Sequence, residues 1–464
     1  MYSTITDAAA ALRAGTTTSV ALTEAAFAAA DAHDEELGVY LSRFDETALA
    51  AAAKADAELA AGTDRGPLHG IPLGIKDIIA TDEGETTAQS LVLDRAWGAS
   101  GDAPVVARLR AAGAVITGKT STMEYAIGIP DPDKPFPIPR NPWNPEHWTG
   151  GSSSGTGGGV AAGMFLGGLG TDTGGSIRYP ATSCGITGLK QTFGRVPKSG
   201  CVPLGYSYDH IGPMARSAAD CAVMLAVLAG HDPSDATSVD RPVDDYTSGL
   251  TGSLSGLRIG VDRLLGTSPL AVPELASVID AALAELRAAG AEIVDVTLPL
   301  YDELTTATMV GMSAEAYAYH RPDLRSRWTD YGAGTRMAVA TGALITGGDY
   351  AQAQRVRRVG QRKVAALFET VDLIVTPTSS CGAPALEKLA FADIITALHT
   401  PYWNALGNPA MSVPMGFTTD GLPLGLQIVG KPFDEAGVLA AGYAYQQRTG
   451  WHLQAPDLSV KTAA

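Results

Sequence analysis

Glycine and serine crowd the segment TGGSSSGTGGGVAAGMFLGGLGTDTGGSIRYP, residues 149–180. Its first half sets Ser152, Ser153 and Ser154 between glycine pairs. Such a run can cradle a phosphate, present a nucleophile, or let the backbone turn tightly. A phosphate loop of the form G-x-x-x-x-G-K-[ST] needs a lysine after its second glycine, and Thr156 stands there instead. Gly151 to Gly155 has the letters of a G-x-S-x-G nucleophile elbow, but an elbow follows a strand, and the run-up NPWNPEHWTG reads as no strand. The elbow also needs a downstream acid and histidine. His320, His399 and His452 could supply the latter, as they could in any chain this long.

The chain around it has 464 residues and a net charge of −16, enough length for one large domain or two to three ordinary ones. Excess acid repels phosphate backbones and no Lys/Arg-rich block occurs, so the expectation is no nucleic-acid partner. The N-terminus MYSTITDAAAALRAG lacks the basic start and apolar block of a secretory signal, and no apolar run is long enough for a membrane span. Cys184, Cys201, Cys221 and Cys381 are scattered without metal-ligand spacing, which suits reduced thiols in a cytoplasmic protein, and Cys184 and Cys201 read as buried fillers. The histidines form no H-x-x-x-H pattern, so neither metal nor other cofactor is expected.

Outward from the glycine–serine stretch, helical and strand patterns alternate. Residues 1–62 read as helices, GIPLGIKDII as a buried strand, residues 103–112 as a helix, and AVITGK as a strand. The proline-rich DPDKPFPIPRNPWNP reads as an exposed irregular loop that could wall a pocket. GLRIGVD, AEIVDVTLP and VDLIVTPTS read as strands, AVPELASVIDAALAELRAAG as a helix, and AMSVPMGFTTDGLPLGLQIVG as a hairpin around Asp420-Gly421 that leads into a last helix. The alternation predicts an α/β fold: a single large domain, 1–464, with a central mixed sheet covered by helices on both faces. Within it, 1–62 would be an N-terminal helical segment, 65–220 a catalytic core, 230–365 a variable substrate-side region, and 370–464 the C-terminal part of the sheet.

Read together, GGSSSGTGGGVA and GTDTGGSIRYP resemble the two linked loops of the amidase signature family, serine hydrolases with a Ser–cisSer–Lys arrangement. GPLHGIPLGIKD is similar to that family's lysine motif, CGITGLKQTFGRVPKSG with DHIGPMARS to the segment after the nucleophile, and PYWNALGNPAMSVPMGF with GLPLGLQIVGKPFDE to its C-terminal signature. The similarity is weak between about 230 and 365. The resemblance implies Ser176 as nucleophile, Ser152 as the bridging serine and Lys76 as base, with Ser153 and Ser154 left as turn formers or hydrogen-bond partners.

Those residue types suit amide cleavage. A serine hydroxyl needs a neighbouring base, and a lysine serves only if burial lowers its pKa from about 10.4. Ile71, Leu73, Ile75, Ile78 and Ile79 make an apolar surround for Lys76, while Asp77 would oppose the shift if it pointed inward. Around Thr173, Gly174, Gly175 and Ser176 few side chains stand in the way, so successive N–H groups can converge on an oxyanion. Asp172 and Arg178 read as an ion pair that pins the turn. Candidate pocket residues are Met123, Tyr125, Phe136, Trp143, Tyr317, His399 and Trp403. They imply an apolar or aryl acyl group on a neutral amide, with esters and carbamates or urethanes served by the same acyl-enzyme chemistry. The expected partner is a small-molecule amide substrate, with no nucleic acid, no membrane and a homodimer as the assembly. The alternative is the glutamine-hydrolysing subunit of a tRNA-dependent amidotransferase. The segment ALHTPYWNALGNPAMSVP lacks the acidic run associated with that subunit, and QQRTGWHLQAPDL looks more like the ending of stand-alone amidases.

Overall fold

A computed structural model describes residues 2–459. The strands are β1 (Tyr40–Arg43), β2 (Pro72–Lys76), β3 (Val115–Thr120), β4 (Arg140–Asn141), β5 (Asn144–Trp148), β6 (Gly167–Asp172) and β7 (Thr187–Lys190). Then come β8 (His210–Ala215), β9 (Arg258–Val261), β10 (Glu292–Asp295), β11 (Leu373–Pro377), β12 (Ala410–Phe417) and β13 (Pro423–Val429). Eleven of them form one sheet in the order β1-β3-β2-β6-β8-β7-β12-β13-β11-β9-β10, and β4 and β5 pair separately. The sheet is mixed: β2 runs parallel to β3 and β6, whereas β6, β8, β7, β12, β13 and β11 are antiparallel in succession.

The helices are α1 (Ile5–Arg13), α2 (Ser19–Leu37), α3 (Asp45–Ala60), α4 (Pro104–Ala111), α5 (Ser154–Ala161), α6 (Arg178–Cys184) and α7 (Ala218–Leu228). They continue as α8 (Leu275–Ala288), α9 (Tyr301–Ser326), α10 (Ala333–Ala340), α11 (Gly347–Leu367), α12 (Phe391–Ala397), α13 (Pro401–Leu406) and α14 (Glu435–Arg448). Alternate strand residues enter different cores. Leu373 and Val375 of β11 join the large cluster that contains residues of α1, α4, α7, α8 and α14, while Ile374 packs with α9, α11 and α13. A third cluster sets α2, α5 and α6 around Tyr40, Phe165 and Met214. Both faces of the sheet are therefore covered, which is why its strands read as near-continuous apolar runs. Among the described residues no helix is long and apolar enough to cross a membrane.

Three local readings change. The run-up NPWNPEHWTG contains a strand after all, β5, paired with β4, and Asn141 and Trp148 of this ribbon are buried. A two-stranded ribbon needs no long apolar pattern, so the prolines hid it. Segment 1–62 is not purely helical, since β1 pairs antiparallel with β3 at the sheet edge. The second half of the glycine–serine run is a helix, α5, although glycine is a poor helix former. Its small residues are demanded by crowding. A Cβ on Gly155 would lie 2.3 Å from the Val39 carbonyl oxygen and 2.5 Å from the Ser121 nitrogen, both backbone atoms that cannot give way.

Gly155→Ala is therefore expected to destabilise the protein. Helix propensity favours alanine by about 1 kcal/mol, but overpacking against backbone costs about 1–3 kcal/mol or more. A urea midpoint below that of the parent, with an unchanged slope, is the outcome that checks it.

Candidate active site

Strands β2 and β6 lie side by side and parallel, and their carboxyl ends open at one place. This is where open α/β sheets commonly receive ligands. Lys76 is the last residue of β2, Thr171 and Asp172 end β6, and the turn 173–177 leads into α6. Ser152 and Ser153 enter from the start of α5 after a cis Gly151–Ser152 peptide, and the Ser153 N–H donates to the Ser176 carbonyl at 3.2 Å, joining the two loops.

Lys76 is wholly buried. Its Nζ donates to Ser152 Oγ at 2.7 Å, Ser153 Oγ at 3.0 Å and Thr171 Oγ1 at 2.7 Å. No carboxylate pairs with it among the described residues. Asp77, next in the chain, turns to Lys119: its Oδ1 lies 3.4 Å from Lys119 Nζ and its Oδ2 accepts from Thr87. Burial pulls Lys76 down to about 7, against weaker opposing effects of Cys201, Asp172 and Asp209. Burial also pushes the Cys201 thiol up to about 12, so it supplies no thiolate at neutral pH.

The two serine hydroxyls that hold Lys76 are not equivalent. Ser153 Oγ donates to the Thr171 carbonyl at 3.2 Å and accepts from the Thr171 N–H at 3.0 Å, so its proton is committed. Ser154 Oγ is committed too, donating to the Gly150 carbonyl at 2.7 Å. Ser152 keeps a hydroxyl proton with no other acceptor among the described residues, and borders the same cavity as the half-buried Ser176. A neutral lysine has two N–H groups and one lone pair. Ser152 is thus the serine that can hand it a proton.

The turn is pinned from beneath. Arg178 Nε and one terminal nitrogen each lie 2.9 Å from an Asp172 oxygen, and both residues are fully buried. Arg178 also donates to the Thr400 carbonyl at 3.1 Å, Gln427 Oε1 at 2.6 Å and Asn404 Oδ1 at 2.6 Å. Burial alone would raise the Asp172 carboxyl, but the Arg178 charge and hydrogen bonds outweigh it and hold the group well below the usual carboxylate range.

The cavity over Ser176 has Gly151, Ser152, Gly174 and Gly175 on its floor and apolar walls: Met123, Trp148, Tyr179, Met309, Met312, Phe391, Ile394 and Leu398. Of the seven candidate pocket residues only Met123 borders it. Tyr125 packs edge-on to His320 with centroids 4.3 Å apart, and Phe136 borders a separate cavity. Trp143 donates Nε1–H to the Cys184 carbonyl at 2.8 Å and packs on Phe417. Tyr317 lies partly buried against the main core, His399 is held between Tyr301 and Ser380, and Trp403 is buried against Tyr402. Large aromatic residues lower their free energy by packing in cores, so residue type alone did not mark the pocket. The walls that were missed do carry a signal. Met309 and Met312, and Ile394 and Leu398, have helical i, i+3 and i, i+4 spacing, which is also the spacing of any core stripe. A neighbouring cavity, sharing Ala126 and Leu204 with this one, holds Cys201, Lys198 and Asp209. Among the described residues no cluster of His, Cys, Asp or Glu could hold a metal ion.

A family model described as Amidase matches residues 21–439. A glutamyl-tRNA(Gln) amidotransferase subunit from Roseiflexus sp. (strain RS-1) is 42% identical, covering 99% of both chains. A solved vestigial protein complex, bearing on the evolutionary origins of an s-triazine catabolic enzyme, superimposes with a TM-score of 0.89 at 32% identity over 96% of this chain and 98% of that one. Native peptide amidase from Stenotrophomonas maltophilia gives 0.84 at 32% identity over 96% and 97%. The amidotransferase relative overturns the expectation of a free-standing enzyme acting on a small-molecule amide with no nucleic-acid connection. A protein similar from end to end is named as one subunit of an enzyme for glutamyl-tRNA(Gln). The net charge of −16 bears only on what this chain itself touches.

Arg178→Met would leave the Asp172 carboxylate buried without its counter-charge. The expected loss is about 3–5 kcal/mol of stability, read from a chemical denaturation curve.

Proposed function

Because this chain belongs to the amidase signature family, we propose that it cleaves amide C–N bonds through a seryl acyl-enzyme, with Ser176 as nucleophile, Ser152 as proton bridge and Lys76 as base. The observation that carries this reading is a lysine fully removed from water, 2.7 Å from a serine with a free proton and without a carboxylate partner among the described residues.

In this mechanism neutral Lys76 takes the Ser152 proton as Ser152 takes that of Ser176, and Ser176 Oγ bonds to the amide carbon. The N–H groups at 173–176 receive the negative charge on oxygen. Collapse breaks the C–N bond, and the departing nitrogen takes a proton back from Ser152, which Lys76 replenishes. A water activated through the same pair then releases the acid.

The relatives support placing that chemistry within an amidotransferase, and the family resemblance makes glutamine the amide hydrolysed there. A second reading, an apolar or aryl acyl group, is favoured by a specific observation: among the described residues no charged side chain lines the cavity over Ser176. The charged α-groups of free glutamine would enter it at a cost unless partnered. Ammonia release from glutamine that rises when co-purifying chains are present supports the first reading. Turnover of a benzoyl or phenylacetyl amide, with glutamine inert under both conditions, supports the second.

Two tests address the chemistry itself. Ser176→Ala abolishes turnover, and Ser152→Ala lowers kcat by about 10²–10⁴-fold, the range for a lost general acid–base group. Ser153→Ala loses the hydrogen bonds to Lys76 and to the Thr171 N–H and carbonyl but no transferable proton, so it lowers kcat far less than Ser152→Ala. Turnover retained in Ser176→Ala is the result that ends the proposal. The base acts only when deprotonated, so kcat/KM rises with pH, close to tenfold per unit below about 7, and levels off above it. Lys76→Ala removes that limb and harms amide cleavage more than cleavage of an activated ester, whose leaving group needs little protonation.

A further inference from the structure

We propose that Thr400 is a positioning residue that aims the Gly174–Gly175 peptide at the developing oxyanion, an inference that rests on Ser176 as nucleophile. Thr400 Oγ1–H donates to the Gly174 carbonyl at 2.7 Å across 226 residues of chain. In a trans peptide the carbonyl and the following N–H point to opposite sides. Holding the Gly174 carbonyl on Thr400 therefore directs the Gly175 N–H the other way. The N–H groups of Gly174, Gly175 and Ser176 meet no acceptor among the described residues, and all three residues border the cavity over Ser176. Buried or half-buried N–H groups are ordinarily paired, so donors left unpaired beside a nucleophile are arranged for a ligand atom.

The hydroxyl that does the aiming is itself immobilised. Thr400 is fully buried, and its carbonyl accepts from Arg178 at 3.1 Å. His399, just before it, is bonded at both ring nitrogens, to Tyr301 Oη at 2.6 Å and to Ser380 Oγ at 2.8 Å. The contact is so close that no side chain fits opposite it: a Cβ on Gly175, whose φ is +137°, would lie 2.0 Å from Thr400 Oγ1. Gly175 is thus glycine for two reasons, its backbone angle and the hydroxyl beside it.

An oxyanion donor acts as charge develops, so its misalignment lowers kcat and leaves substrate binding alone. With p-nitrophenyl butyrate as substrate, Thr400→Val keeps the shape and removes the hydroxyl. The expected result is a kcat loss on the order of 10–100-fold, below the 10²–10³ seen when a donor is deleted outright, with KM unchanged. Thr400→Ser, which restores the hydroxyl, returns kcat to within a few fold. Phenylboronic acid, a mimic of the tetrahedral state, loses affinity for the Val variant but not for the Ser variant. If Thr400→Val does not fold, Thr400→Ala is held to the same split. Wild-type kcat in the variant lacking the hydroxyl, or equal losses in Val and Ser variants, overturns the positioning role while an inactive Ser176→Ala keeps the nucleophile. Turnover persisting in Ser176→Ala overturns both.

Discussion

The removal of the Lys76 ammonium from water is the constraint on which the rest of the site depends. A buried lysine ordinarily finds a carboxylate, and Lys119, one strand away, lies 3.4 Å from Asp77. Among the described residues Lys76 is offered only hydroxyls. Hydroxyls satisfy its N–H groups without stabilising a positive charge as a carboxylate would, so desolvation prevails and the amine sits near neutrality at physiological pH. The end of β2 makes the difference: the chain leaves the strand after Lys76, and Asp77 turns to Lys119 and away from the proposed base.

That environment is assembled from distant parts of the chain. Asp172 and Arg178 lie within six residues of each other, yet the guanidinium also grips the Thr400 carbonyl, Asn404 and Gln427. The glycine turn that carries Ser176 is thereby fastened to α13 and β13. Local sequence makes the turn possible, and the C-terminal segment makes it rigid. A donor site for an oxyanion needs that rigidity, because flexible N–H groups would have to be reoriented at the moment of reaction.

Chemistry and selectivity come from different layers. The proposed catalytic groups sit at strand ends and helix starts of the central sheet, while the walls over them come from α9, α12 and the ribbon strand β5. One sheet can keep a reaction while the covering helices change what enters.

Sequence alone was enough for the α/β class and most strands, because those features live in short windows of spacing and residue type, whereas Lys76, Ser152 and Ser176 were grouped as one candidate constellation through the resemblance to the amidase signature family. The sequence could not tell which of three consecutive serines had a free proton. That depended on the Thr171 carbonyl and N–H engaging Ser153, a contact made only when α5 packs beside β6. Nor could it separate Met309, Met312, Ile394 and Leu398 from ordinary core stripes, since helical periodicity records that a face is apolar and not what the face covers. The strand β5 and the helix α5 escaped for a related reason: tertiary packing overrode the local preferences of proline and glycine. Which apolar surface became core and which became cavity wall was decided by where the helices were finally laid across the sheet.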